Sequence, residues 1–455
     1  MSAPDAMSET LNYANVKRRA VASRSYRVRL SPSNGQSYIS GNTVNFTMPS
    51  NLAGTYCDWS KCYLKYKVKS DIAGNLDRGG CTSLINRVQV FTSGSSLMDL
   101  SNWGVLMNIL MDMDSNSIYK ANTGKTLMGT SGGSQKGEAL VAGVERTFCM
   151  PFVLHTLALS QPARLQPLFS SSSVEFRLTL EDGKVALKTA TAGQTPTLTY
   201  SEVELICHFV ELSAGANAIV DQMCGGQYNM LCSSYQNVGT TMADGDRAVT
   251  ANLGISVSSL ERVIVCHRPT TSISASNAYS IGNRSKNFLS EFSIYINGES
   301  FPSTSIKIGD KGAEALAEFL LSDHSLVNFD KQSSFNLAIA GTTASTKTNG
   351  LDGQSIKTAS AEPYLFEGAG ALGTEDGTTD ASGSNIGTFI AGIEMESFAG
   401  KSDKLYSGIS TIASSVSYRG VYDAGTLACQ IDFFAQYSVL LSLNTRGTNV
   451  WAISV

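Results

Sequence analysis

The feature that most constrains this chain is the recurrence of short segments in which apolar and polar residues alternate. Thr43 to Met48, Cys62 to Val68 (CYLKYKV) and Leu84 to Phe91 (LINRVQVF) largely keep period two. That period puts one side of a strand in a core and the other in solvent. Tyr26–Leu30, Phe148–Leu154, Val174–Leu180 and Val203–Leu212 read as strands too. One segment departs from the pattern. Trp103, Leu106, Met107, Leu110 and Met111 recur at three and four, which predicts a short helix over 103–113.

Ser213, Ala214, Gly215, Ala216 and Asn217 are small or polar without a clear period, and the reading places a linker over 213–225. The same grammar then repeats. Strands are expected at 228–235, 248–255, 262–267 and 292–297, and a helix at 313–321 with Leu316, Phe319 and Leu320 on one side. Further strands are expected at 389–395, 416–421, 429–443 and 450–455. Each half reads as strands, one helix, then more strands. The fold class is therefore all-β, two tandem eight-stranded jelly rolls with short helices in loops. The predicted layout is an N-terminal arm over 1–25, a first roll over 26–212, the linker, and a second roll over 226–455. Residues 341–388, rich in Gly, Thr, Ser and Ala, exceed any ordinary connection and read as a long surface loop.

Composition supports this reading. At 455 residues the chain is comfortable for two domains, and 42% hydrophobic residues suffice for two cores. Only 16% of residues are charged, against about 25% in ordinary soluble domains. A weakly charged surface suits a protein covered by copies of itself. The net charge of −4 argues against strong nucleic-acid binding by the folded body. The basic cluster Lys17, Arg18, Arg19 and Arg24 is the exception, an arm to face a genome or lipid head groups, or simply to lie in solvent.

The nine cysteines are odd in number and include no CxxC. Several lie in apolar runs, as small core residues in a reducing compartment. No signal peptide or membrane helix is read, so synthesis is expected in the host cytoplasm.

Catalytic signatures fail one by one. Gly368, Gly370 and Gly373 fit GxGxxG, but no helix is expected to follow. Gly124-Lys125-Thr126 imitates a P-loop end, with Tyr119 where the first glycine belongs. Gly129, Ser131 and Gly133 imitate a nucleophile elbow inside a polar loop. His155, His208, His267 and His324 stand apart, and no zinc-ligand spacing is seen. Asp112 and Asp114 end the helical run and read as a solvated pair. No enzyme activity, catalytic residue, cofactor, metal or small-molecule substrate is expected.

Several stretches, taken in order, carry a resemblance. CYLKYKV (62–68), SLINRVQVF (83–91), LMDLSNWGVLMNILMD (97–112) and YSEVELICHFVEL (200–212) resemble the first roll of double-jelly-roll major capsid proteins. These are the coats of Polinton-like viruses, virophages and adintoviruses, related in fold to adenovirus hexon. FIAGIEMESFAGKSDKLYSGIST (389–411) and IDFFAQYSVLLSL (431–443) resemble the second roll. The resemblance implies a homotrimer whose six rolls form a pseudo-hexameric capsomer tiling an icosahedral virion. It implies contacts with neighbouring capsomers, penton and minor capsid proteins. Phe398, Lys401, Ser402, Asp403 and Gly408 match the family motif, and a structural role is implied for them. The alternative is a glycan- or receptor-binding β-sandwich, with loop 341–388 as its contact surface.

Overall fold

The structure is a computed structural model. It describes residues 23–77, 79–92, 95–115, 117–130, 137–151, 165–284, 287–308, 313–323, 347–348, 355–356, 389–396, 407–423, 428–447 and 449–454.

Eight principal strands build the first half. They are β1 (Ser23–Leu30), β2 (Thr43–Thr47), β3 (Tyr63–Ser70), β4 (Ile85–Thr92), β5 (Ser95–Leu100), β6 (Glu145–Pro151), β7 (Val174–Leu180) and β8 (Leu198–Leu212). One sheet runs β1-β8-β3-β6 and the sheet facing it runs β2-β7-β4-β5. The second half supplies β9 (Gln227–Met242), β10 (Ala248–Asn252), β11 (Leu260–Pro269), β12 (Leu289–Ile296), β13 (Glu299–Lys307), β14 (Ala391–Glu394), β15 (Val416–Tyr422) and β16 (Cys429–Asn444). Its sheets run β9-β16-β11-β14 and β10-β15-β12-β13. Adding eight to each strand number of the first half reproduces the order of the second. The helices obey the same shift. The helix α1 (Trp103–Asp114) follows β5, and a second long helix (Ala313–Ser322) follows β13.

Alternation explains the first sandwich. In β7 the burial pattern is strictly alternating, with Val174, Phe176, Leu178 and Leu180 inward. Phe176 lies opposite Phe46 of β2 and Val90 of β4, and its ring meets Trp59 edge-on at 5.5 Å. The second sandwich has its own core, including Val263, Val265, Phe292, Ile294, Tyr418, Ile431 and Phe433.

β11 differs. All ten of its residues are buried. Val263 and Val265 face the second core, whereas Ile264 and Cys266 belong to the cluster that fills the first sandwich. Phe434 of β16 also joins that first cluster. This sheet is therefore covered on both faces where β11 and β16 lie, and the short run Val263–Cys266 of β11 is apolar throughout.

Three expectations change. Strand β1 begins at Ser23, so Arg24 belongs to a strand rather than to the arm; it is exposed and paired with Glu211 of β8 at 2.7 Å. Residues 213–225 form a helix, α2 (Ala214–Cys224), in place of a patternless linker. Ser213 Oγ accepts from the Ala216 amide, and Gly225 closes the helix in the left-handed region at φ 63°. The two caps secure a helix that has no buried side chain. Asp112 is buried rather than solvated, for reasons given below. Of loop 341–388, only a two-residue ladder pairing 347–348 with 355–356 is described.

Candidate functional site

α1 shows how the two sandwiches are held together. Its residues from Trp103 to Leu110 are all buried, a state no single amphipathic stripe produces. Gly104 lets it approach closely, since a Cβ there would sit 3.0 Å from the Ile85 carbonyl oxygen. Both ends of α1 are held by groups from the second half. At the start, Asn102 Nδ2 donates to Asn237 Oδ1 at 3.1 Å and to Asp432 Oδ1 at 3.2 Å. In the last turn, Asp112 binds the buried Arg284 through Oδ2 and accepts from Lys120 Nζ through Oδ1 at 2.8 Å. All three charged side chains are at most 6% exposed. A buried carboxylate is tolerated only with such partners, so the polar spacing that suggested a solvated end conceals a buried ion triad.

The rest of the seam is built alike. Asp77 Oδ2 accepts from the Ile281 and Gly282 amides, both at 2.9 Å. Arg268 donates through Nε to Asp432 Oδ2 at 2.6 Å and through a terminal nitrogen to the Ser280 carbonyl at 3.2 Å. Residues 268–284 thus form the inner wall of the seam. Lys188 lies 4.8 Å from the Tyr279 ring centre, and the Thr189 amide donates to Ser276 O at 2.8 Å. Near the opposite end of the chain, Asn449 O accepts from Ser171 Oγ at 2.8 Å, and Asn449 Nδ2 donates to Phe169 O at 3.0 Å. Phe169 meets Tyr228 edge-on at 5.0 Å. What the arrangement does is mechanical: it fixes one sandwich against the other.

Outside the seam, apolar side chains reach solvent. Ile39, Val141, Val144, Ile219, Met223 and Ile412 are each at least half exposed. Ile219 and Met223 lie one turn apart on α2. Behind this helix is an apolar cavity of about 290 Å³ lined by Tyr56, Leu212, Val220 and Tyr228 among others.

The sequence candidates fare unevenly. Gly408 forms an isolated bridge with Glu396, and its amide donates to Ser259 Oγ at 3.0 Å. A Cβ there would run into the Leu260 carbonyl oxygen. Phe398, Lys401, Ser402, Asp403, Lys17, Arg18, Arg19, His155, His324 and the GxGxxG glycines lie outside the described residues. Gly124-Lys125-Thr126 falls inside a short helix, Thr123–Met128, with Tyr119 where the first glycine of a phosphate loop belongs. His267 is buried, its Nε2 is 2.8 Å from the Tyr422 hydroxyl, and burial pushes its pKa down to about 3. Cysteine spacing concealed one cluster: Cys57, Cys62 and Cys207 converge in the first sandwich.

No family model matches the chain, and no curated protein matches it in sequence. Solved structures do match in shape. The Faustovirus major capsid protein superposes with a TM-score of 0.59 at 8% identity, over 94% of this chain and 91% of that one. The mavirus major capsid protein gives 0.51 at 10% identity, over 100% and 96%. The chain has the double-jelly-roll fold. PBCV-1 VP54, a crystal structure fitted into a reconstruction of the virophage Sputnik, also shares it, with a TM-score of 0.59, 11% identity and 97% and 99% coverage. Coverage near the full length of each double jelly roll agrees with the strand order repeated at an offset of eight. At such low identity the shared property is the fold.

Proposed function

We propose that this chain is the major capsid protein of an icosahedral DNA virus, acting as a shell-building unit without catalysis. The observation that carries this reading is the pair of like-ordered sandwiches locked side by side by a buried polar seam. A rigid two-lobed brick needs two more copies to make a six-sided block. The Faustovirus and mavirus proteins of the same fold are, by name, major capsid proteins. The exposed apolar residues on α2 and elsewhere on the surface support burial against sister chains, since obligate interfaces are core-like and typically exceed about 2,000 Å².

In this proposal the homotrimeric capsomers join through more polar edges, with penton and minor capsid proteins completing the virion. Lys17, Arg18 and Arg19 precede β1 and would supply a weak contact to genome or internal membrane. Light scattering of the purified full chain tests the reading. The expected species is a trimer, seen as a hexagonal outline in negative stain. A stable monomer at micromolar concentration would overturn it.

A further inference from the structure

Three thiols meet in the interior of the first sandwich. The strand Thr55–Cys57 pairs with β8 so that Cys57 stands opposite Phe209. Cys207, two residues earlier on β8, therefore lies diagonally across from Cys57 on the same face. A single 3₁₀ turn, Trp59–Lys61, then returns the chain. Asp58 caps it by accepting from the Ser60 amide, and Cys62 follows as its last residue. The Cys62 sulfur comes within 3.8 Å of that of Cys57. All three sulfurs lie within 4.8 Å of one another, and all three residues are buried. This is the one such group of potential metal ligands among the described residues.

We propose that Cys57, Cys62 and Cys207 form a buried site for one thiophilic d¹⁰ metal ion, of the Zn(II) or Cu(I) class.

The geometry separates this trio from ordinary core cysteines. Cys81, Cys266 and Cys429 are buried just as deeply, yet none belongs to such a cluster. Sulfurs bound tetrahedrally to one ion at about 2.3 Å stand about 3.8 Å apart, which is the Cys57–Cys62 separation. A disulfide would use only two of the three sulfurs. Each thiol that binds the ion releases its proton to solvent. Soft thiolate donors select ions of this class. Ser60 and Lys61 of the covering turn reach solvent, so the ion would enter while that turn is open during folding.

The test is expression of the full chain in medium containing Cd(II), the optically visible stand-in for Zn(II), with purification under reducing conditions. The expected result is one Cd(II) per chain with a sulfur-to-metal charge-transfer absorption. Metal content should be lost in Cys62→Ala and Cys207→Ala and retained in Cys149→Ala and Cys224→Ala. X-ray absorption of the wild-type chain loaded with Zn(II) keeps the test independent of how the variants fold. Three sulfur neighbours are expected. A metal-free chain, a coordination shell of nitrogen and oxygen, or undiminished metal in Cys207→Ala would each overturn the site.

Discussion

At the residue scale, two positions combine close packing with a chemical demand. Gly408 has no room for a side chain beside the Leu260 carbonyl. Gly408→Ala should therefore cost about 1–3 kcal/mol, as overpacking does, read as a lowered urea midpoint with an unchanged slope. His267 sits between Tyr422 and Phe389 and is held neutral down to about pH 3, against an ordinary pKa of 6.5. The unfolded chain gains a proton near pH 6.5 that the folded chain refuses until about pH 3. The stability that neutral His267 contributes is complete above that window and is lost as the pH falls through it. His267→Gln keeps a polar group near Tyr422 but cannot titrate. Its urea midpoint should fall less steeply with acidification than that of the wild type; parallel pH profiles would refute the assignment.

At the scale of elements, α1 concentrates the cost of failure. Removing one partner of a buried ion pair strands the other and typically costs about 3–5 kcal/mol. Arg284→Met should lose that much in chemical denaturation, and Asp112→Leu with Arg284→Met should recover part of it. Recovery will be incomplete because Lys120 keeps its charge. In α2, Ser213→Ala removes the amide cap and should cost about 0.5–2 kcal/mol. These elements also show what could be read in advance. The alternation of 174–180 was plain in the sequence because burial on one face writes itself into spacing; the large side chains of 103–113 recur at three and four, which marked the helix but not its burial on all sides. α2 was missed although Ala216, Ile219, Val220 and Met223 recur at three and four, because attention fell on the small and polar residues at its start; Ser213 and Gly225, the caps, were its further signal. β13 was missed as well. It is an edge strand with Pro302 inside it, and only Ile306 of its residues is buried.

At the scale of the whole molecule, alternation and turn spacing revealed two sandwiches, whereas the seam was invisible. Asp112 and Arg284, like Asp77 and Ile281, are far apart in the chain, and nothing local marks either as half of a pair. The same held for Cys207 beside Cys57 and Cys62. The seam carries a consequence for biosynthesis. α1 and its partner Lys120 lie in the first half, but Asn237, Arg284 and Asp432 arrive with the second. A nascent polypeptide emerging from the ribosome cannot complete the ion triad at Asp112, which until then has only Lys120, before its later portion has been made. Prematurely terminated products would then stay loose and open to proteases.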